Sequence, residues 1–314
     1  MFNFPEGKRY NTAAGRYRKI YGERLQKLVL DAGFSCPNRD GTLGTGGCTY
    51  CDNAAFHPGY STPGKTLFQQ IDEGIWFHHR RYPKVRHYLA YFQAYSNTYG
   101  PLERLKGLYE EALSHPSVVG LVIGTRPDCI DEVKLDYLSY LAEKKVVVLE
   151  YGIESCYDAT LLRINRGHDF ECARRTVEMT AERGIDVGAH FILGLPGETK
   201  EMLLDQCATI SSLPLTSVKF HQLQIVKGTR MEAEYASNPD EFLRLSLDDY
   251  IDFMVDILER LRPNLYIERI AGEVPPRFVR ETPWGLIRND GILKLLDKRL
   301  EERDTYQGIK YINP

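Results

Sequence analysis

Short apolar segments return along this chain at a regular interval, and that rhythm limits the folds open to it. Runs rich in Val, Ile, Leu, Tyr and Phe predict strands at Lys27–Asp31, Tyr88–Gln93, Val118–Gly124, Val146–Gly152, Ile185–Leu193 and Ser217–Val226. Amphipathic stretches near 65–80, 101–114, 131–143, 169–183 and 199–211 fall between them. Strand starts roughly every thirty residues are the spacing of βα units, which build a parallel sheet. Several runs are apolar throughout, such as Val118-Val-Gly-Leu-Val-Ile and Val146-Val-Val-Leu, as strands buried on both faces are. Six units predict an α/β fold, a partial (β/α)6 TIM-like barrel over residues 27–270. A basic N-terminal extension (1–26) precedes it and a short C-terminal extension (271–314) follows. Near that boundary one short apolar run, Leu265–Ile270, is followed by a Pro-rich bend and a charged helix near 290–303. No internal repeat, low-complexity tract or clear linker divides the chain, and 314 residues suffice for one large α/β domain.

Three of the seven cysteines, Cys36, Cys48 and Cys51, stand in one glycine-rich loop after the first strand, spaced Cys-x11-Cys-x2-Cys. Three thiolates cannot close a four-cornered metal site, and iron–sulfur clusters are ordinarily tied by four. A cubane cluster held by these three would keep one iron open to an outside ligand. A Cys3His zinc site with His57 as fourth ligand is the alternative, although Cys-x11-Cys-x2-Cys-x5-His is not a common zinc spacing. An odd cysteine count without a signal peptide disfavours disulfides, and Cys129, Cys156, Cys172 and Cys207 are scattered as small apolar residues would be. The glycines at 41–47 lie between cysteines and open no helix, so they make no dinucleotide-binding turn.

No apolar run approaches a membrane span, and the start of the chain lacks an apolar signal core, which together predict a cytoplasmic protein with no membrane partner. The net charge of −3 argues against a wholly basic nucleic-acid binder, but the charge is uneven. Residues 8–27 hold seven basic side chains interleaved with Tyr10, Tyr17 and Tyr21, and a second basic stretch runs through Arg80, Arg81, Lys84 and Arg86. Such clusters either track phosphates while aromatics stack on bases or form a solvated face. The first precedes the first strand directly and is expected to reach the rim where the cysteine loop opens.

In β/α barrels the active site collects at the C-terminal ends of the strands. Here those ends carry Gln93 and Ser96; Thr125, Arg126 and Asp128; Glu150, Glu154 and Ser155; His190 and Glu198; and Lys219, His221 and Lys227. Any one of these is ordinarily a helix cap or a loop residue, as Thr199 is expected to be, but five strand ends carry them.

Together these residues make the chain resemble the radical S-adenosylmethionine (SAM) enzymes, in a branch related to the catalytic subunit of Elongator, which modifies the wobble uridine of tRNA. The likeness runs through Cys36-Pro, Cys48-Thr-Tyr-Cys51, Thr125-Arg-Pro-Asp128, Glu150-Tyr-Gly-Ile-Glu154-Ser155, Asn165-Arg-Gly-His168, Gly194-Leu-Pro-Gly197 and Lys227-Gly-Thr229, over about residues 30–275. A resemblance to oxygen-independent coproporphyrinogen oxidases covers the core only. The resemblance implies that Cys36, Cys48 and Cys51 bind a 4Fe–4S cluster whose open iron takes the amino and carboxylate groups of SAM. It also implies contacts of Gln93 to Ser96 with the SAM amino group, of Arg166 with its carboxylate, of Glu154 and His190 with its ribose, and of Arg126 with SAM or substrate. A reduced cluster then cleaves SAM, and the 5′-deoxyadenosyl radical abstracts hydrogen from the substrate. The implied partners are tRNA and an electron donor such as ferredoxin or flavodoxin. Elongator-type enzymes carry an acetyltransferase domain after the radical domain; about forty residues follow Ile270, too few for one, which leaves acetyl-CoA use open. The leading expectation is therefore a radical SAM enzyme acting on a tRNA wobble uridine or its side chain. A radical SAM enzyme for a small metabolite and a zinc-stabilised nucleic-acid-binding protein are the alternatives.

Overall fold

The computed structural model describes residues 4–312; residues 1–3 and 313–314, the outer ends of the two expected extensions, and the side chains of Ala54 and Phe56 lie outside the described residues. Seven strands, β1 (Gln26–Leu30), β2 (Tyr88–Phe92), β3 (Val118–Thr125), β4 (Val146–Glu154), β5 (Asp186–Leu193), β6 (Ser217–Gln222) and β7 (Tyr266–Arg269), form one parallel sheet in chain order. The helices are α1 (Ala13–Tyr21), α2 (Leu67–His79), α3 (Leu102–Ser114), α4 (Glu132–Ala142), α5 (Asp158–Arg163), α6 (Phe170–Glu182), α7 (Lys200–Ser212), α8 (Arg230–Ser237), α9 (Leu247–Arg260) and α10 (Asn289–Glu302). Seven of these ten starts carry a capping side chain. Thr12, Thr66, Asp131, Asp169, Thr199, Thr229 and Ser246 each accept a backbone N–H of the first turn through a side-chain oxygen, satisfying a donor that the helix leaves open.

Apolar residues on the outer face of the strands pack under these helices as the main core. The inner face is filled at its lower end by Tyr17, Leu25, Leu89, Tyr91, Val122 and Val148. The edge strands β1 and β7 share no backbone pairing, yet the side chains of Lys27 and Glu268 meet between them, so the sheet curls into a nearly closed partial barrel.

The six expected strands are present, and Leu265–Ile270 supplies a seventh. The run Ser217–Val226 leaves the sheet at Gln222; Val226 instead forms an isolated antiparallel bridge to Val279. Helices α1, α5, α8 and α9 lie where no helix was expected; α9 buries Tyr250, Phe253, Met254 and Ile257.

The basic N-terminal stretch does not reach the rim of the cysteine loop. Residues that lead directly into a strand sit at its N-terminal end, whereas the cysteine loop leaves the C-terminal end of β1. Accordingly α1 covers the floor of the barrel: Tyr17 enters the lower core, and Arg16 forms a two-pronged ion pair with Asp186, the first residue of β5 (2.7 and 2.9 Å). Its neighbours are also neutralised, Arg18 by Glu6, Lys8 by Asp297 and Arg9 by Asp304. Among the described residues no helix is long and apolar enough to cross a membrane.

Candidate functional site

The loop after β1 folds back on itself through backbone turns. The N–H groups of Arg39 and Asp40 donate to Cys36 O (2.8 and 3.1 Å), and Cys51 N–H donates to Cys48 O (3.1 Å). Gly47 has φ 75°, and a Cβ there would stand 2.9 Å from the Arg39 side chain, so the turn into Cys48 requires glycine. Cys36 and Cys48 are buried and Cys51 is half-buried. Burial, with the neighbouring Cys48, pushes the Cys51 thiol up to about 12. A bound metal deprotonates a coordinating thiol and would hold the Cys51 sulfur ionised. His57, the fourth ligand of the zinc alternative, faces Asp31 at 3.7 Å; among the described residues no three His, Cys, Asp or Glu side chains, the three cysteines included, are gathered round one ion.

Segments beyond other strand ends are tied to this loop. Ser96 N–H donates to Ser35 O (3.2 Å), Thr49 N–H to Ile164 O (2.9 Å), and Asn165 Nδ2 to Gly47 O (2.9 Å). Arg166 therefore lies under Cys48, where its Nη1 donates to the sulfur at 3.5 Å and its Nη2 to Gly152 O at 2.5 Å. Glu154 Oε1 is 3.7 Å from the same guanidinium. Glu154 adopts φ 74°, uncommon for a side chain of its size, where the pairing of β4 with β5 slips. Gly152 leaves room for both groups, since a Cβ would come within 2.6 Å of Glu154 Oε1 and 2.9 Å of Arg166 Nη2.

Arg126 is buried and grips Asp128 with Nε and Nη2 (2.8 and 2.7 Å). Arg126 Nη1 and Arg166 Nε are buried donors with no hydrogen-bond partner among the described residues. Burial and the charge of Arg166 lower the pKa of His168 to about 3, which keeps this ring neutral. The corner thus combines soft sulfur ligands with unsatisfied guanidinium donors, a donor set that fits an iron–sulfur cluster together with a ligand bearing a carboxylate.

Deeper in the lumen stands a second polar group. Glu150 receives Lys27 on one oxygen (2.5 Å) and Lys219 on the other (2.6 Å), and Glu268 Oε1 receives the same two lysines (2.5 and 3.0 Å). This closed ring of alternating charge joins β1, β4, β6 and β7. Tyr91 OH lies 3.2 Å from Lys219, and His190 Nε2 lies 3.0 Å from Glu150 while its ring stacks on His221. Burial alone would raise the pKa of Glu150; Lys219 and Lys27 outweigh it and hold the carboxylate well below its usual range.

Of the residues expected from the sequence, Arg166 reaches both Cys48 and Glu154, with Arg126 beside Gly167 in the same corner. Gln93 lines the cleft described below, Ser96 holds the cysteine loop through its backbone, and His190 belongs to the lumen ring. Sequence reasoning missed Asn38, whose buried Nδ2 reaches Asn165 O (2.5 Å) and Cys48 Sγ (3.7 Å). It also missed the ring itself, although Glu150 after the apolar run Val146–Leu149 and Lys219 between Val218 and Phe220 were its visible signal.

Along the gap between β1 and β7 runs a cleft of about 1260 Å³, lined by Gln93, Tyr91, Lys219 and Gln222 within and by Arg24, Phe77, Arg269 and Arg288 along its walls.

Comparison with known proteins bears on this geometry. A family model described as "Radical SAM superfamily" matches residues 41–207, a span that takes in Cys48 and Cys51, and one described as "Radical_SAM C-terminal domain" matches residues 215–302. The chain is 37% identical over 304 residues to the uncharacterized protein YtqA of Bacillus subtilis (strain 168), covering 96% of this chain and 92% of that one. It is 24% identical over 197 residues to Elongator complex protein 3 of Mus musculus, covering 61% of this chain and 35% of that protein. The solved structure of archaeal Methanocaldococcus infernus Elp3 with an N-terminal deletion shares the fold, with a TM-score of 0.67 and 16% identity over 90% of this chain and 64% of that one.

Proposed function

The chain belongs to the radical SAM superfamily, with a 4Fe–4S cluster and S-adenosylmethionine as cofactors, and from that premise we propose that it modifies the wobble uridine of tRNA or that uridine's side chain. When bound, the cluster and SAM supply a 5′-deoxyadenosyl radical able to remove a hydrogen atom from an unactivated carbon.

The chain's own residues would do the rest. Cys36, Cys48 and Cys51 would hold the cluster. Arg166, fixed by Gly152 O, would turn its unpartnered Nε toward the SAM carboxylate, and Arg126 would offer Nη1 to SAM or substrate. Gln93 to Ser96 would meet the SAM amino group, with Glu154 and His190 toward the ribose. Because the His190 Nε2 is engaged by Glu150, its other ring nitrogen would make that contact. The packed floor of Tyr17, Leu89, Val122 and Val148 would keep water from entering from below.

One observation carries the choice of a macromolecular substrate over a small metabolite. The cleft, about 1260 Å³, exceeds the roughly 300–1,000 Å³ of ordinary small-molecule pockets. Similarity to Elongator complex protein 3 supports tRNA as that substrate. A tRNA substrate puts the enzyme's work in the cytoplasm, with ferredoxin or flavodoxin as the reductant. The test is mass spectrometry of nucleosides from tRNA of wild-type and deletion cells. A changed wobble nucleoside is expected; identical profiles would overturn the tRNA reading.

A further inference from the structure

The cleft between β1 and β7 has two walls of unlike origin, both carrying arginines; the second also carries Glu273, Glu281 and Asp290, engaged by the Asn289 N–H, Arg244 and Arg81 respectively. One is the end of α2 with the residues before β1, carrying Arg24, Phe77, Arg81 and Tyr82; the other is the end of β7 with the start of α10, carrying Arg269 and Arg288. Most basic side chains near the barrel are neutralised by a carboxylate, as Arg16, Lys27 and Lys219 are. Among the described residues Arg24, Arg269 and Arg288 have no carboxylate partner, and Arg24 lies instead over the Tyr82 ring at 4.1 Å. Phe77 is 54% exposed beside them. Besides the Lys27–Glu268 pair deeper in the gap, Arg81 meets Asp290 across the walls at 3.3 Å, with both side chains more than half exposed.

We propose that this cleft binds a single-stranded segment of RNA, leading it from the outer surface to the lumen mouth at Gln93. The inference rests on the RNA-substrate reading above and locates the strand. Unneutralised guanidinium groups on both walls suit phosphates repeated along a backbone, and an exposed ring between them suits an unstacked base. A duplex is about 20 Å across and its bases face inward, so a paired region would not enter a slit between two strands; an open loop would. The Arg81–Asp290 pair is exposed and therefore weak, on the order of 0.2–1 kcal/mol, so a phosphate can displace Asp290 from Arg81.

The experiment measures binding of a fluorescent ten-nucleotide oligouridylate, and of whole tRNA, to the anaerobically reconstituted protein at several salt concentrations. Arg269→Glu with Arg288→Glu should weaken both complexes by roughly tenfold or more and flatten the salt dependence by about 0.7 log units for each lost phosphate contact. Asp290→Asn should act oppositely, tightening binding roughly two- to fivefold by freeing Arg81, a gain that misfolding cannot imitate. SAM binding, measured in parallel, should be unchanged in every variant. If wild type binds RNA but the charge reversals and Asp290→Asn leave affinity and salt slope alone, the strand lies elsewhere and the inference fails while the RNA reading stands. If wild type binds neither RNA, the RNA reading itself falls and takes the inference with it. Equal affinity for a polyglutamate peptide of matched charge would also overturn it, showing a surface for anions at large.

Discussion

Lys27 on β1 and Glu268 on β7 meet across the gap where the two edge strands share no backbone hydrogen bond. The barrel is therefore held shut at this point by side chains. Glu150 and Lys219 complete the ring, and removing one member leaves its partners buried with unmatched charge. Glu150→Gln should cost about 3–5 kcal/mol in denaturant unfolding, and replacing Glu150 and Lys219 together by apolar residues should cost less. If the single change is silent, the ring does not hold the seam.

Acid should reveal the same ring. The Glu150 carboxylate is held below its ordinary value of 4.5, so the unfolded chain binds its proton first as pH falls. The stability it confers is complete above about pH 4.5 and is lost progressively below it. Wild type should therefore lose stability below pH 4.5 more steeply than Glu150→Gln; parallel pH curves would count against this assignment.

Glu198 behaves in the opposite sense. Burial raises its pKa to about 7, partly offset by the hydroxyl of Ser155, which donates to Oε1 at 2.6 Å. The folded state favours the protonated form, so its contribution is complete below the unfolded value near 4.5 and is lost as pH rises through 7. Glu198→Gln, which keeps the acceptor for Ser155, should be the more stable protein at pH 8, by on the order of 3 kcal/mol. A mutant no more stable than wild type at that pH would refute the shift.

Cys36, Cys48 and Cys51, each changed to Ser, should abolish the iron content of anaerobically reconstituted protein, whereas changes at Cys129, Cys172 or Cys207 should leave it intact. Cys129 is the demanding control, because it lies buried beside Asp128 in the same corner. Stoichiometric zinc and no iron in wild type would end the assignment.

Arg166→Ala should retain the cluster but weaken SAM binding by about 1.5–3 kcal/mol, the usual range for a charge-assisted hydrogen bond. Gly152→Ala should weaken it too, because its methyl group would press on the Arg166 guanidinium. Unchanged affinity in equilibrium binding would remove Arg166 from the site.

The strands and the cysteine loop were legible because local chemistry decides them. Val118–Ile123 and Val146–Leu149 are apolar runs, and the caps Thr66, Asp131, Asp169 and Thr199 open helices that were expected, whereas Thr12, Thr229 and Ser246 open helices that were not. The short strand Tyr266–Arg269 was visible only as an apolar run, since four residues with a Glu and an Arg show little period. The partners of Lys27 were illegible, because Glu150 and Glu268 are distant in sequence and only the curl of the sheet brings them together. The same curl explains the misplaced basic stretch. Charge counted along a sequence does not reveal that Arg16 will be spent on Asp186, at the end of the barrel away from the cysteines.

The lack of a backbone ladder between β1 and β7 has a topological consequence. A cylinder sealed all round can be entered by a polymer only end first, whereas one with a lengthwise slit accepts the middle of a strand laid in from the side. This barrel's seam is shut by the side-chain pairs Lys27–Glu268 and Arg81–Asp290 and not by a backbone ladder, so only side chains need part for the middle of a long chain to enter. On the proposed RNA reading, a circular RNA carrying the loop should bind as well as its linear form.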